Sequence, residues 1–188
     1  MDEVSVQLIG ETRQDIPMAP GEPARCDYEY ERKGTANIFM LCEPLKGFRQ
    51  ATVTERRTRM DWAKLIREVV DVIYPHAKRI KLVMDNLNTH GFASLYEAFK
   101  PAEARRIMKR LEIVHTPKHG SWLNMAEIEL SVLTRQCLSR RMGDVVELKS
   151  EVTAWEKDRN QSQTGVDWQF TAKDARIKLK RLYPKVQS

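Results

Sequence analysis

Residues 80–90 read IKLVMDNLNTH. An apolar run of Ile80, Leu82, Val83 and Met84 delivers the chain onto Asp85, Asn86 and then His90. Such a run, bounded by turn-forming residues, is the pattern of a strand covered on both faces, because both sets of alternating side chains must then be buried. An acid just beyond it sits at the strand's carboxyl end, where open α/β sheets place their ligands. The same residue also suits a plainer role, a turn aspartate that satisfies local backbone donors. The choice depends on whether Asp85 has partners elsewhere in the chain.

Working outward, VSVQLI (4–9) alternates as a half-buried strand does, and the polar, Pro-rich stretch from Glu11 to Arg25 is a loop or excursion. Two strand-like runs, NIFMLCEPL from Asn37 and FRQATVTE from Phe48, join through a hairpin with Pro44 and Gly47 in its turn. From Asp61 the period changes: Trp62, Leu65, Ile66, Val69, Val72 and Ile73 recur at helical spacing until Tyr74-Pro75 ends the pattern. Strand four then ends at Asp85, helical patterning follows through SLYEAF and, after Pro101, AEARRIMKRL, and EIVHT from Glu112 reads as a short fifth strand. A long helix is expected from Ser121 to about Arg141, followed beyond Gly143 by a further helical pattern (VVELKSEVTAWEKDR), a polar stretch and a basic tail, DARIKLKRLYPK. The order β-β-β-α-β-α-β-α predicts an α/β fold in which a mixed sheet is flanked by helices. Residues 1–142 are expected to form the principal domain, and 143–188 a helical extension packed on it.

A chain of 188 residues suffices for one domain with a full core. With 41% hydrophobic and 31% charged residues it falls in the soluble globular class, and no apolar stretch approaches the roughly 20 residues of a membrane span. The opening residues lack the basic start and apolar core of a signal peptide, so a cytoplasmic location is expected. Cys26, Cys42 and Cys137 are odd in number and widely spaced, which suggests neither a disulfide framework nor a zinc site. A net charge of +6 is compatible with a polyanionic partner, since clustered Lys and Arg release counterions from phosphates, but charge alone identifies none. Neither a P-loop nor a GxGxxG turn occurs, which disfavours nucleotide-dependent chemistry. Trp62, Trp122, Trp155 and Trp168 read as packing residues rather than base-stacking platforms.

The helix from Ser121 supplies a second acid. Turning about 100° per residue from Leu123, an apolar arc gathers Leu123, Ala126, Leu130, Leu133, Cys137 and Leu138, with Glu127 inside it and Glu129 on a flank nearer solvent. A carboxylate facing the core asks for a metal, an arginine or a cap. If Asn124 is the N-cap, Glu127 is instead the N3 residue of a capping box. Acids from a strand end and a nearby helix, joined by a third, could hold two divalent cations about 4 Å apart, the arrangement that serves phosphodiester chemistry. Oxygen-only ligands favour Mg²⁺ or Mn²⁺. Asp2, just ahead of the first strand-like run, is the natural third acid.

The stretches MDNLNTH and TPKHGSWLNMAEIE, with the opening MDE and the late AWEKDRN and DARIKLKRLYP, resemble the catalytic domain of mariner-like bacterial insertion-sequence transposases of the DDE endonuclease family, over essentially the whole chain. The resemblance implies a ribonuclease-H-like fold, whose element order matches the one read above. It implies an Asp-Asp-Glu triad that uses two Mg²⁺ ions to cut and rejoin double-stranded DNA at transposon ends and target, in bacteria, with a homodimer as the expected assembly. Residue by residue, the acids are Asp2 in MDE, Asp85 in DN, and Glu127, because LNMAE stands where the family has an LNPIE-like motif; Met125-Ala126 replace its Pro-Ile, and Glu129 is the runner-up. Asn86 and His90 follow Asp85 as in the family and would orient the acid or a metal-bound water. Lys118, His119 and the basic tail are the expected phosphate contacts. Such transposases normally carry a helix-turn-helix region ahead of the catalytic domain, and none is read here; with an acid at residue two, the first strand is expected to be truncated and Asp2 to sit on a fraying terminus. Two functions follow: a metal-dependent strand-transfer enzyme, or an inactive fragment that keeps only a DNA- or protein-binding surface.

Overall fold

The computed structural model describes residues 1–25, 27–85, 90–117, 120–163 and 165–182. The strands are β1 (Asp2–Glu11), β2 (Tyr30–Glu43), β3 (Phe48–Thr54), β4 (Ile80–Met84) and β5 (Leu111–His115). The α-helices are α1 (Arg59–Glu68), α2 (Phe92–Ala98), α3 (Pro101–Met108), α4 (Met125–Gln136), α5 (Val145–Gln161) and α6 (Ala172–Lys178). The expected element order is present in a mixed α/β structure. Its hydrogen-bonded ladders fall in two sheets rather than one, an antiparallel β1-β2-β3 meander and a parallel β4-β5 pair. The two adjoin at Met1, whose ammonium donates to the Val83 carbonyl at 2.7 Å.

The centre of β2 shows how the layers stack. Ala36 to Leu41 are all buried, so both faces of the strand are covered. Phe39 and Leu41 point into a cluster with Trp62, Ile66, Leu82, Met84, Leu95 and Ile107, drawn from α1, β4, α2 and α3. Ala36, Ile38 and Met40, on the opposite face, join Leu8, Leu130, Leu133, Leu148, Val152 and Trp155, drawn from β1, α4 and α5. Alternation along one strand thus separates two cores on either side of the meander.

Three sequence expectations change. The β4 run is covered on one face, with Leu82 and Met84 buried but Lys81 and Val83 exposed. Val83 alone makes IKLVM look continuous, and the residues that cover the second face of the meander, on α4 and α5, are gathered around β1 and β2. Helix α1 starts earlier than expected, because Thr58 caps it in a capping box with Asp61. It runs on into a π-helical turn, Val69–Ile73, in which Tyr74 N–H reaches the Val69 carbonyl. The wider turn shifts the buried face, so Val70 is buried and Val72 is 69% exposed. The helix expected over 121–141 is a 3-10 turn, Ser121–Leu123, a break at Asn124, and then α4, which ends at Gln136.

Candidate active site

Asp85 follows the last residue of β4. The neighbouring strand fixes its backbone: Thr116 N–H donates to the Met84 carbonyl at 2.9 Å, and His115 Nδ1 lies 3.0 Å from the Asp85 carbonyl. A carbonyl only accepts, so Nδ1 is the protonated ring nitrogen. The sequence read EIVHT only as a strand, and His115 was missed because nothing in a period-two pattern marks a side chain that turns back to a neighbour's backbone.

Asp2 is the first residue of β1 and pairs with Met40. The expected fraying is not found. Met1 is 5% exposed, its ammonium is bonded to Val83, and its carbonyl accepts from Asn124 Nδ2 at 2.9 Å. Asn124 is also the N-cap of α4, its Oδ1 accepting from Ala126 N–H at 3.2 Å. One buried asparagine therefore starts the helix that carries Glu127 and ties it to the strand that carries Asp2. Through Met1, the same strand is tied to β4 two residues before Asp85.

The acids sense one another. The Asp2 carboxyl is raised above its ordinary value by burial and then by the negative charges of Asp85 and Glu127, against the Glu3 N–H and the terminal ammonium, which lower it. A like-charged trio of oxygen donors is the chemistry a hard divalent cation neutralises. Among the described residues, however, no group of three or more His, Cys, Asp or Glu side chains is close enough to hold a metal ion. The donor set fits such a cation in kind, while its side chains have not converged to ligating distance.

The two glutamates of α4 exchange the positions expected of them. Glu127 is exposed, in the first turn of the helix, and Glu129 is 2% exposed. The apolar arc that includes Leu123 and Leu138 misplaces them because neither residue belongs to α4. Nor is there a capping box: the Asn124 side chain caps the helix through Ala126 and turns its amide to Met1. Glu129 accepts from Arg49 Nε at 2.6 Å and Nη2 at 3.0 Å, with Arg159 Nη2 at 3.3 and 3.4 Å. Burial alone would raise its carboxyl, but the hydrogen bond and charge of Arg49, then Arg159, outweigh it and hold the group below its usual range.

Behind the acids lies a pair that sequence reasoning only half found. Glu3 alternates to the face of β1 opposite Asp2, where its Oε1 lies 3.5 Å from His90 Nε2, both side chains nearly fully buried. His90 stacks on Trp62 with ring centroids 5.7 Å apart and planes at 12°. Burial, then the charges of Asp85 and Asp2, push Glu3 up to about 7, and burial lowers His90 to about 4, so the imidazole is neutral at pH 7. The signal for Glu3 was its acid neighbour: consecutive acids in a strand place one on each face. Asn86, Lys118, His119 and Cys26 lie outside the described residues. The described part of the basic tail forms the end of α6 and a 3-10 turn, Lys180–Leu182, with Lys178 4.6 Å over the Trp122 ring, which also meets Phe170 edge-on at 4.8 Å.

A family model described as DDE superfamily endonuclease matches residues 1–149. The chain belongs to the DDE superfamily endonuclease family, a transposase-type domain that acts on DNA and whose members generally use divalent metals. The comparisons with curated proteins and with solved structures returned no match. Among the described residues no helix is long and apolar enough to cross a membrane.

Proposed function

We propose that this chain is the catalytic domain of a mariner-like bacterial insertion-sequence transposase, which cuts double-stranded DNA at transposon ends and joins them to a target on a ribonuclease-H-like fold. In this reading residues 1–142 form the catalytic domain, 143–188 are a helical extension packed on it, and the working form is a homodimer in the bacterial cytoplasm. The observation that carries the reading is the convergence at Met1, which donates to the Val83 carbonyl of β4 and accepts from Asn124, the N-cap of α4, so that three acids on three elements share one electrostatic neighbourhood. Asp2, Asp85 and Glu127 would hold two Mg²⁺ or Mn²⁺ ions. Bound there, such ions would lower the pKa of an attacking water or 3′-hydroxyl and take up charge on the leaving oxygen. The arginines that engage Glu129 support Glu127 as the third acid. His90, buried against Glu3 and Trp62, is a positioning residue, as is Asn86, while Lys118 and His119 contact phosphate.

Asp85→Asn and Glu127→Gln are expected to abolish Mn²⁺-dependent nicking of DNA while melting like the parent. Undiminished nicking by either variant refutes the assignment. A second reading, an inactive fragment that retains a DNA- or protein-binding surface, is favoured by the unconverged carboxylates. Calorimetric titration of Mn²⁺ separates the two: uptake that depends on Asp85 supports the enzyme, whereas no uptake by the folded protein, with or without DNA, supports the fragment.

A further inference from the structure

The parallel ladder between β4 and β5 sets Met84 opposite His115, and at its end Thr116 N–H donates to the Met84 carbonyl at 2.9 Å. Asp85 stands beyond β4, where a chain leaving a sheet loses the regular backbone donors of its neighbour. Here β5 keeps hold of it by other means. The Asp85 carbonyl lies 3.0 Å from His115 Nδ1, so a side-chain N–H stands in for a ladder donor. The two bonds act on different peptide planes. The Met84 carbonyl belongs to the plane that precedes the Asp85 Cα, and the Asp85 carbonyl to the plane that follows it. Each plane is rigid, so anchoring both restricts φ and ψ of Asp85 and sets the direction of its Cα–Cβ bond. Both anchors come from consecutive residues, His115 and Thr116. Thr116 is buried, but the His115 side chain is exposed and adds nothing to the core, which leaves the bond to Asp85 as the contact that accounts for its orientation.

We propose that His115 is a positioning residue for Asp85: its Nδ1–H fixes the peptide plane after the acid and so aims the carboxylate at the divalent cation of the DNA-cleaving reaction. A cation ligand must be held to within about half an ångström, and a residue at the point where the chain leaves its strand is not held so by the ladder alone. His115 acts in this way only if Asp85 ligates the cation, so the inference rests on that proposed role. It gives His115 no contact of its own with the cation or with DNA. The competing role would use the other ring nitrogen, Nε2, which bonds to no described residue and could meet the substrate directly.

Three substitutions separate the two nitrogens. Asparagine carries its amide nitrogen on Cγ, where histidine carries Nδ1; glutamine carries it one bond further out, at the reach of Nε2; alanine carries none. In the full chain, Mn²⁺ affinity is measured by calorimetry and nicking of supercoiled plasmid DNA at saturating Mn²⁺, with the wild type and Asp85→Asn as references. His115→Ala and His115→Gln are expected to lower Mn²⁺ affinity or nicking by about 10- to 100-fold, the loss that follows removal of a group orienting a metal ligand, while His115→Asn recovers to within about three-fold of the wild type. All three should melt close to the wild type, because the ring is exposed. Recovery by glutamine but not by asparagine would assign the role to Nε2 and overturn the proposal. Equal behaviour of the three variants, whether function is kept or lost, would also overturn it, given a wild type whose Mn²⁺ uptake Asp85→Asn abolishes. A wild type without Asp85-dependent uptake, with or without DNA, fails at the earlier step and overturns the role of Asp85 together with that of His115.

Discussion

Replacing Arg49 by methionine tests whether Glu129 belongs to the framework or to the chemistry. The Arg49 side chain is 2% exposed, gives two hydrogen bonds to Glu129 and a third, from Nη1, to the Gly47 carbonyl at 2.7 Å. Its removal leaves a buried carboxylate with only the longer contacts of the partly exposed Arg159 among those described. Breaking a buried pair in this way costs about 3–5 kcal/mol. At roughly 2–4 °C per kcal/mol for a domain of this size, the melting temperature should fall by about 6–20 °C. The double variant Arg49→Met/Glu129→Leu, which removes both charges and keeps the volume apolar, should recover most of the loss. Urea or thermal unfolding of the wild type, both single variants and the double closes the cycle; a coupling energy below about 0.5 kcal/mol would refute the argument. The pH dependence is a second check. Because the folded-state pKa of Glu129 is depressed, the pair stabilises above the ordinary carboxylate value of 4.5 and the contribution is lost as pH falls below it, a loss the double variant should not show. Nicking per folded molecule should survive Glu129→Gln but not Glu127→Gln.

Asn124→Ala removes a helix cap worth about 1 kcal/mol and leaves the buried Met1 carbonyl short of a donor, for a further ~1–3 kcal/mol in chemical denaturation. Asn124→Asp keeps the cap but sets an acceptor against that carbonyl, so it should be no better than alanine; full stability in the aspartate variant would show that the bond to Met1 contributes nothing. In metal-free protein, Glu3, raised to about 7, favours the fold less as pH climbs from 4.5 towards 7, while His90, lowered to about 4, favours it less as pH drops from 6.5 towards 4. The two slopes oppose each other, and Glu3→Gln should leave a fold that weakens steadily on acidification through that lower range; a flat profile in that variant would show that His90 is not held neutral. Lys118→Ala should reduce the slope of log affinity for DNA against log salt by about one unit, and an unchanged slope would mean it touches no phosphate.

The elements were legible where a local cause dominates. The Pro101 start of α3, the hairpin turn with Gly47 at a positive φ of 65°, and the apolar run into Asp85 each follow from a few adjacent residues. Misreadings came where a distant element decides. Whether Val83 is covered depends on which strands α4 and α5, more than forty residues further along the chain, pack against. Whether Val72 faces inward depends on the π-helical widening of one turn, which no count of apolar residues at helical spacing detects.

The exchange of Glu127 and Glu129 has the same cause and bears on function. A wheel assumes an unbroken helix, and the break at Asn124 resets the phase by turning residues 121–124 into a 3-10 turn and a cap. That asparagine breaks the helix because its amide is claimed by Met1, a residue 123 positions away. The break leaves Glu127 exposed in the first turn of α4, where the helix dipole favours a carboxylate and solvent access leaves it free to meet a cation. Two residues on, about 200° around the helix, Glu129 is turned towards Arg49 and neutralised. A core-facing acid that lacked this arginine would have had to find a metal or lose its proton-free form. Because Arg49 meets that need, burial marks the structural glutamate, and the exposed one remains available for chemistry.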